Sequence, residues 1–190
     1  TLVANLARAR HSDIRARLGL EDGKYAVATF HRPSNVDSRD SASKVVDALR
    51  TVAGFFPVVL PIHPRTKESF NRFGFLDALA AIPGLQLVEP MGYFDFICLV
   101  EPCSVVVTDS GGIQEETTYL NVPCLTMREN SERPSTISVG TNLLIGSDLE
   151  RLRSELEKIS AGKFKKGSVP PFWDGKTAER IVADIEAFLS

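Results

Sequence analysis

A chain of 190 residues, 43% of them hydrophobic, can bury one substantial core at single-domain size, so residues 1–190 read as one folding unit. Its formal charge of −2 and sequence pI near 5.9 withhold the broad attraction on which nucleic-acid binding relies, and a small anion in a local basic pocket fits better than a polymer. No apolar run is long enough to span a bilayer, and the opening Thr1-Leu2-Val3-Ala4-Asn5 lacks a signal-peptide design, which points to the cytoplasm and away from membranes.

The opening segment begins without methionine, is helix-like and polar around His11, and implies residues upstream of Thr1. From about Lys24 onward strand-like and helix-like patterns alternate. That is the mark of a parallel sheet with helices on both faces, and the fold class is therefore α/β. Strands are expected at Tyr25–Phe30, Pro57–Ile62, Leu85–Val88, Ser104–Thr108, Pro123–Met127 and Asn142–Ile145. Most are short, rich in Val and Leu and apolar throughout, as strands buried on both faces should be. Helices are expected at Ala42–Val52, Ser69–Ala81, Phe94–Val100, Ile113–Leu120, Asp148–Ile159 and Lys176–Leu189. Cys98, Cys103 and Cys124 have no Cys-x-x-Cys spacing and lie in apolar company, so they read as reduced, buried thiols. Lys163 to Gly175 reads as a connector before the final helix, with Pro170-Pro171-Phe172-Trp173 anchoring that helix on a neighbouring surface.

In open α/β sheets the ligand crevice lies beyond the carboxyl ends of the strands, and the polar clusters of this chain gather there. His31-Arg32 follows the first strand, His63-Pro64-Arg65 the second, Asp109-Ser110-Gly111-Gly112 the fourth and Arg128 to Pro134 the fifth. Four separate strand ends thus bring cations or phosphate-type turns to one rim.

Asp109 to Glu116 is the most informative stretch. A β-branched run, Val105-Val106-Val107-Thr108, leads into a Gly-Gly turn and a helix start. The first amides of a helix have no partner within it and sit at the positive end of its dipole, which makes Ser110, Gly111 and Gly112 an anion site. Simple capping by Ser110 is the competing reading, but a capping box would want Glu or Gln where Ile113 stands. Adjacent helical residues point about 100° apart, so only one of Glu115 and Glu116 can face a ligand over the turn. A carboxylate there suits ribose hydroxyls, since it would repel phosphate.

The other candidates each carry two readings. His31 either bonds the turn-forming loop Pro33 to Asp37 or contacts phosphate and moves protons, with Arg32 solvated or part of the site. His63, between Ile62 and Pro64, is either a rigid structural residue or a second rim imidazole. Arg128 and Arg133 bracket a polar loop and suit oxyanions, against the reading that Arg133 only pairs with Glu132 or Glu129 at the surface. Met91 lies in a turn whose backbone can meet a base edge, with Tyr93 or Phe96 packing on the ring or simply joining the core. No spacing supports a metal set from His31, His63 and Asp109, and the G-x-S-x-G pattern of a Ser110 nucleophile is absent.

Taken together, His31-Arg32-Pro33-Ser34-Asn35-Val36-Asp37, Pro61 to Arg65, Glu89 to Phe96, Asp109 to Glu116, Glu132-Arg133-Pro134 and Pro171 to Ala178 resemble the UDP-N-acetylglucosamine 2-epimerase family. The resemblance implies a Rossmann-like domain, the carboxyl-terminal half of a two-domain GT-B enzyme, with a partner amino-terminal domain that supplies catalytic carboxylates and is absent from this chain. It implies a homodimeric parent, no cofactor, and interconversion of UDP-GlcNAc and UDP-ManNAc by elimination and return of UDP. By the same resemblance His31 is catalytic, the diphosphate rests on Ser110, Gly111 and Gly112, ribose on Glu116, uracil by Met91 and Phe96, and Arg133 near the phosphates. Ser34 and Ser135 depart from the family's frequent glutamates and leave a hydrolysing enzyme that releases ManNAc open. A GT-B glycosyltransferase and a non-catalytic nucleotide-sugar sensor are the other classes with such a site.

Overall fold

The computed structural model describes residues 2–189; Thr1 and Ser190, where the single-domain reading begins and ends, lie outside the described residues. Strands β1 (Ala26–Thr29), β2 (Val58–Pro61), β3 (Leu85–Val88), β4 (Val105–Thr108), β5 (Cys124–Thr126) and β6 (Asn142–Leu144) form one sheet in the order β3-β2-β1-β4-β5-β6. Every neighbouring pair is parallel, with Ala26 opposite Val105 and Thr29 opposite Thr108 across the central β1–β4 pair. All six strands lie within the expected spans.

The strands are apolar throughout because the pleat sends alternate side chains into two separate cores. Ala26, Ala28, Val58, Leu60, Val105 and Val107 face one side, where they meet α4 (Arg39–Ala53), α5 (Pro64–Phe73), α6 (Leu76–Ala80) and α10 (Leu149–Ser160) through Leu49, Phe70, Leu79 and Leu152. Val27, Val59 and Val106 face the other, under α2 (Ile14–Arg17), α7 (Tyr93–Val100) and α8 (Gly111–Leu120). The Tyr25 hydroxyl, buried on that second side, donates to the Leu99 carbonyl at 2.6 Å. Cys98, Cys103 and Cys124 are buried free thiols, and burial pushes Cys124 up to about 11.

Several expectations need correction. The helix expected over Ser69–Ala81 is two helices, because Gly74 adopts φ +76, ends α5 as a left-handed cap and turns the chain into α6. α5 also begins earlier, at Pro64. The loops expected after β1 and β5 contain short helices, α3 (Pro33–Val36) and α9 (Pro134–Ser138). The opening segment is helical as expected, as α1 (Leu2–Ala9).

The connector behaves differently from its expected anchoring role. Pro170 is buried, but Phe172 is 73% exposed beneath Arg180 and sits at φ +69. The helix that follows, α11 (Thr177–Leu189), contains no buried residue. Among the described residues no helix is long and apolar enough to cross a membrane.

Candidate functional site

The strand order reverses between β1 and β4, so their carboxyl ends flank the crevice of a doubly wound sheet. Asp109 ends β4 there with its side chain fully buried. Its carboxylate accepts the backbone amides of His31 at 3.1 Å and Arg32 at 2.9 Å, and the Asn35 amide nitrogen at 3.0 Å. The His31 Nδ1 lies 3.2 Å from the same carboxylate. Burial alone would raise the Asp109 pKa, but the His31 ring, the Arg32 amide and Asn35 outweigh it and hold the group below the usual carboxylate range. Because Nδ1 is engaged, the Nε2 edge of His31 is left for a ligand.

His63 sits beside it, with ring centroids 5.3 Å apart. Both readings of His63 have structural content: its Nδ1 caps α5 by accepting from the Arg65 amide at 3.2 Å, while the ring lines the cleft. Arg65 is turned away from the rim into an ion pair with Asp37 at 2.5 Å, so the second strand end delivers an imidazole and no free cation.

Ser110 is the N-cap of α8 with extended φ and ψ, but its side chain makes no capping hydrogen bond. Gly111 and Gly112 open the helix without a positive φ. A Cβ on Gly112 would meet nothing within 4 Å, and one on Gly111 would make only ordinary contacts at 3.7 and 3.8 Å. The chain's own packing therefore requires neither glycine. The two acids that follow point apart, as helical geometry demands. Glu116 turns into the cleft beside Tyr93, where burial raises its pKa against a hydrogen bond from the Tyr93 hydroxyl. Glu115 turns outward and pairs with Arg133 at 3.0 Å.

These residues enclose a cleft of about 330 Å³ in which His31, His63, Met91, Phe96, Ser110 and Glu116 meet. Tyr93 is 37% exposed at its edge, so the aromatics of α7 divide between core and cleft. On the other side of Asp109 lies a second, polar basin of about 400 Å³, lined by Arg32, Lys44, Arg128 and Glu129 among others. Arg32 and Arg128 line this basin, and the Arg32 guanidinium also reaches the amino end of α8, 3.8 Å from the point that a Cβ on Gly111 would occupy. Arg128 is bidentate on Glu132 at 2.8 and 2.9 Å, while Arg133 pairs with Glu115 and not with Glu132 or Glu129, the surface partners expected for it.

Three residues outside the candidate set hold the site together. Asp109 is its hub. Asn35 bonds both Asp109 and, at 3.1 Å, the Met127 carbonyl, joining the ends of β1, β4 and β5. Gln114 is buried in α8, donates to the Ser110 carbonyl, and accepts from Ser131 at 2.5 Å and Asn142 at 3.0 Å. Nothing in the sequence singles these three out, since each stands beside other polar residues and finds its partners only through the fold.

Comparison with known proteins gives a consistent answer. A model of the UDP-N-acetylglucosamine 2-epimerase family matches residues 2–186. The UDP-N-acetylglucosamine 2-epimerase of Methanocaldococcus jannaschii is 38% identical over 163 residues, covering 85% of this chain and 44% of that protein. The enzyme of the same name from Methanococcus maripaludis is 39% identical over 161 residues, covering 84% of this chain and 43% of that protein. The crystal structure of the Methanocaldococcus jannaschii UDP-GlcNAc 2-epimerase in complex with UDP-GlcNAc and UDP superposes with a TM-score of 0.83 at 34% identity, covering 97% of this chain and 51% of that one. The chain thus spans about half the length of the relatives it matches.

Proposed function

The chain belongs to the UDP-N-acetylglucosamine 2-epimerase family, and we propose that it is the nucleotide-binding half of such an enzyme, taking the UDP portion of a UDP-sugar at the β1–β4 rim. The observation that carries this reading is the cleft itself. It joins an uncapped helix end, two glycines that the fold does not need, two imidazoles and one inward carboxylate.

In this reading the diphosphate lies on the amides of Ser110, Gly111 and Gly112, where helix-end N–H groups and the dipole favour negative charge. Ribose hydroxyls donate to Glu116, whose burial makes such donors welcome. Uracil lies along the Met91 backbone and packs on Phe96. His31 presents Nε2 to the phosphates, with Asp109 fixing its ring through Nδ1. Arg133 reaches the phosphates by leaving Glu115, a surface pair worth little, so the exchange is easy.

The chemistry asks for such a clamp. The C2 proton of the sugar is not next to a carbonyl, so inversion runs through elimination of UDP to a glycal and its return on the other face. Stabilising charge on the departing diphosphate is a large part of that task. The carboxylates that move the sugar proton belong to a second, amino-terminal domain closing the cleft from above. That domain is also the natural cover for α11, where Ile181, Val182, Ile185 and Phe188 are 52, 54, 52 and 89% exposed.

Calorimetric titration with UDP, paired with NMR of a UDP-GlcNAc incubation, tests this. The expected result is UDP binding and no change in the sugar. Absence of UDP binding overturns the nucleotide site, and UDP-ManNAc formed by this chain alone overturns its assignment as half of the active site.

A further inference from the structure

The anion position at the amino end of α8 already has a carboxylate beside it, and the carboxylate belongs to the chain. Glu132 takes two hydrogen bonds from Arg128, at 2.8 and 2.9 Å, and lies 3.5 Å from the Arg32 guanidinium. Its Oε2 and the Arg32 Nη2 stand 3.7 and 3.8 Å from the point that a Cβ on Gly111 would occupy. Two arginines, a helix end and an oxyanion between them is the arrangement that phosphate groups adopt in proteins. Arg32 on its own would be repelled by the positive end of α8, so the carboxylate is what makes its position favourable. Arg128 in turn holds Glu132 well below its ordinary range, down to about 2, so no proton is available to neutralise it near pH 7.

We propose that Glu132 is a specificity-determining residue of the nucleotide site: it stands in for the diphosphate, keeps Arg32 and Arg128 poised at the rim, and yields them to a ligand that brings more negative charge than its own. This rests on the reading that a diphosphate binds at Ser110, Gly111 and Gly112. A diphosphate there lies a few ångströms from the carboxylate, and like charges at that range repel strongly. The two arginines gain by changing partners, because a diphosphate offers them more anionic oxygens than one carboxylate does.

The exchange needs little motion. The Glu132 side chain is 51% exposed, while the backbone on either side of it is tied down, Ser131 to Gln114 and the Arg133 amide to the Ser131 hydroxyl at 3.0 Å. The side chain can swing out with its backbone held. A neutral ligand does not drive the swing. Glu132 therefore sets a charge threshold, admitting diphosphates against a standing competitor and leaving uncharged nucleosides unaffected.

The test is calorimetric titration of the unaltered chain and of Glu132→Gln with UDP and with uridine, at two salt concentrations. Glutamine keeps the size and removes the charge, and an exposed loop position leaves folding intact, which a thermal melt verifies. The expected result is UDP binding tightened about tenfold in the variant with a steeper loss in salt, and uridine binding unchanged. Equal or weaker UDP binding by Glu132→Gln, or a parallel change for uridine, overturns the role of Glu132 while leaving the UDP site standing. UDP failing to bind either protein overturns the underlying reading instead.

Discussion

Gly167 and Gly112 lie in different regions and lack a side chain for opposite reasons. At Gly167 the connector crosses the loop before β6, and an added Cβ would fall 2.6 Å from the Gly140 carbonyl carbon and 2.8 Å from the Thr141 amide nitrogen. At Gly112, on the amino end of α8, an added Cβ would meet nothing within 4 Å. Neither has a positive φ, so backbone freedom explains neither. The first glycine is required by the fold. The second is dispensable to it, and that is what turns attention to a ligand.

This contrast can be broken by substitution. Gly167→Ala should destabilise the chain by about 3 kcal/mol, because rigid backbone stands where the methyl must go. Urea unfolding checks it, and a loss below about 1 kcal/mol would mean that the connector moves aside freely and that the crossing is not a fixed part of the fold.

Next in size is Asp109→Asn, which keeps a single acceptor oxygen for two backbone amides, Asn35 and the His31 ring, turns the other oxygen into a donor, and should cost about 2 kcal/mol. The pH dependence carries a sign. Asp109 has a folded pKa below its ordinary one, so its contribution is present above the ordinary carboxylate range and is lost as pH falls through the folded value. Unfolding free energy of the unaltered chain should therefore fall more steeply on acidification than that of Asp109→Asn. Parallel curves would show that the carboxylate is not held charged by its neighbours.

The strands and the Gly-Gly turn were legible because their physics is local. Strands buried on both faces read as unbroken apolar runs, and a helix end announces itself by glycine after a β-branched run. Arg32-Pro33, His63-Pro64 and Arg133-Pro134 were harder. Each reads as a turn, yet in each the proline is the first residue of a helix and the cation or imidazole before it is the cap. Proline fixes φ for the helix start and keeps the preceding residue out of the helical region, extended at Arg32 and His63 and at ψ 62 in Arg133, which is how three rim side chains come to be positioned. The hub at Asp109 was not legible, because its partner Asn35 is 74 residues away and only the β1–β4 pairing brings them together. The same holds for Glu132 and Arg32, 100 residues apart.

The smallest expected change in stability is at Gly112, and it tests the contrast most directly. Gly112→Ala replaces a poor helix former by the best one at a site with open space around it, so it should stabilise the chain by about 0.5 kcal/mol. The same methyl covers the helix-end amides where the diphosphate is proposed to lie, and losing one charge-assisted hydrogen bond there weakens UDP binding by about tenfold or more. Stability and affinity should thus move in opposite directions, which no loss of packing can produce. Thermal melts and UDP titrations on one preparation measure both. If Gly112→Ala binds UDP as the unaltered chain does, the open space beside Gly112 serves no ligand, and the assignment of the phosphates to this helix end is wrong.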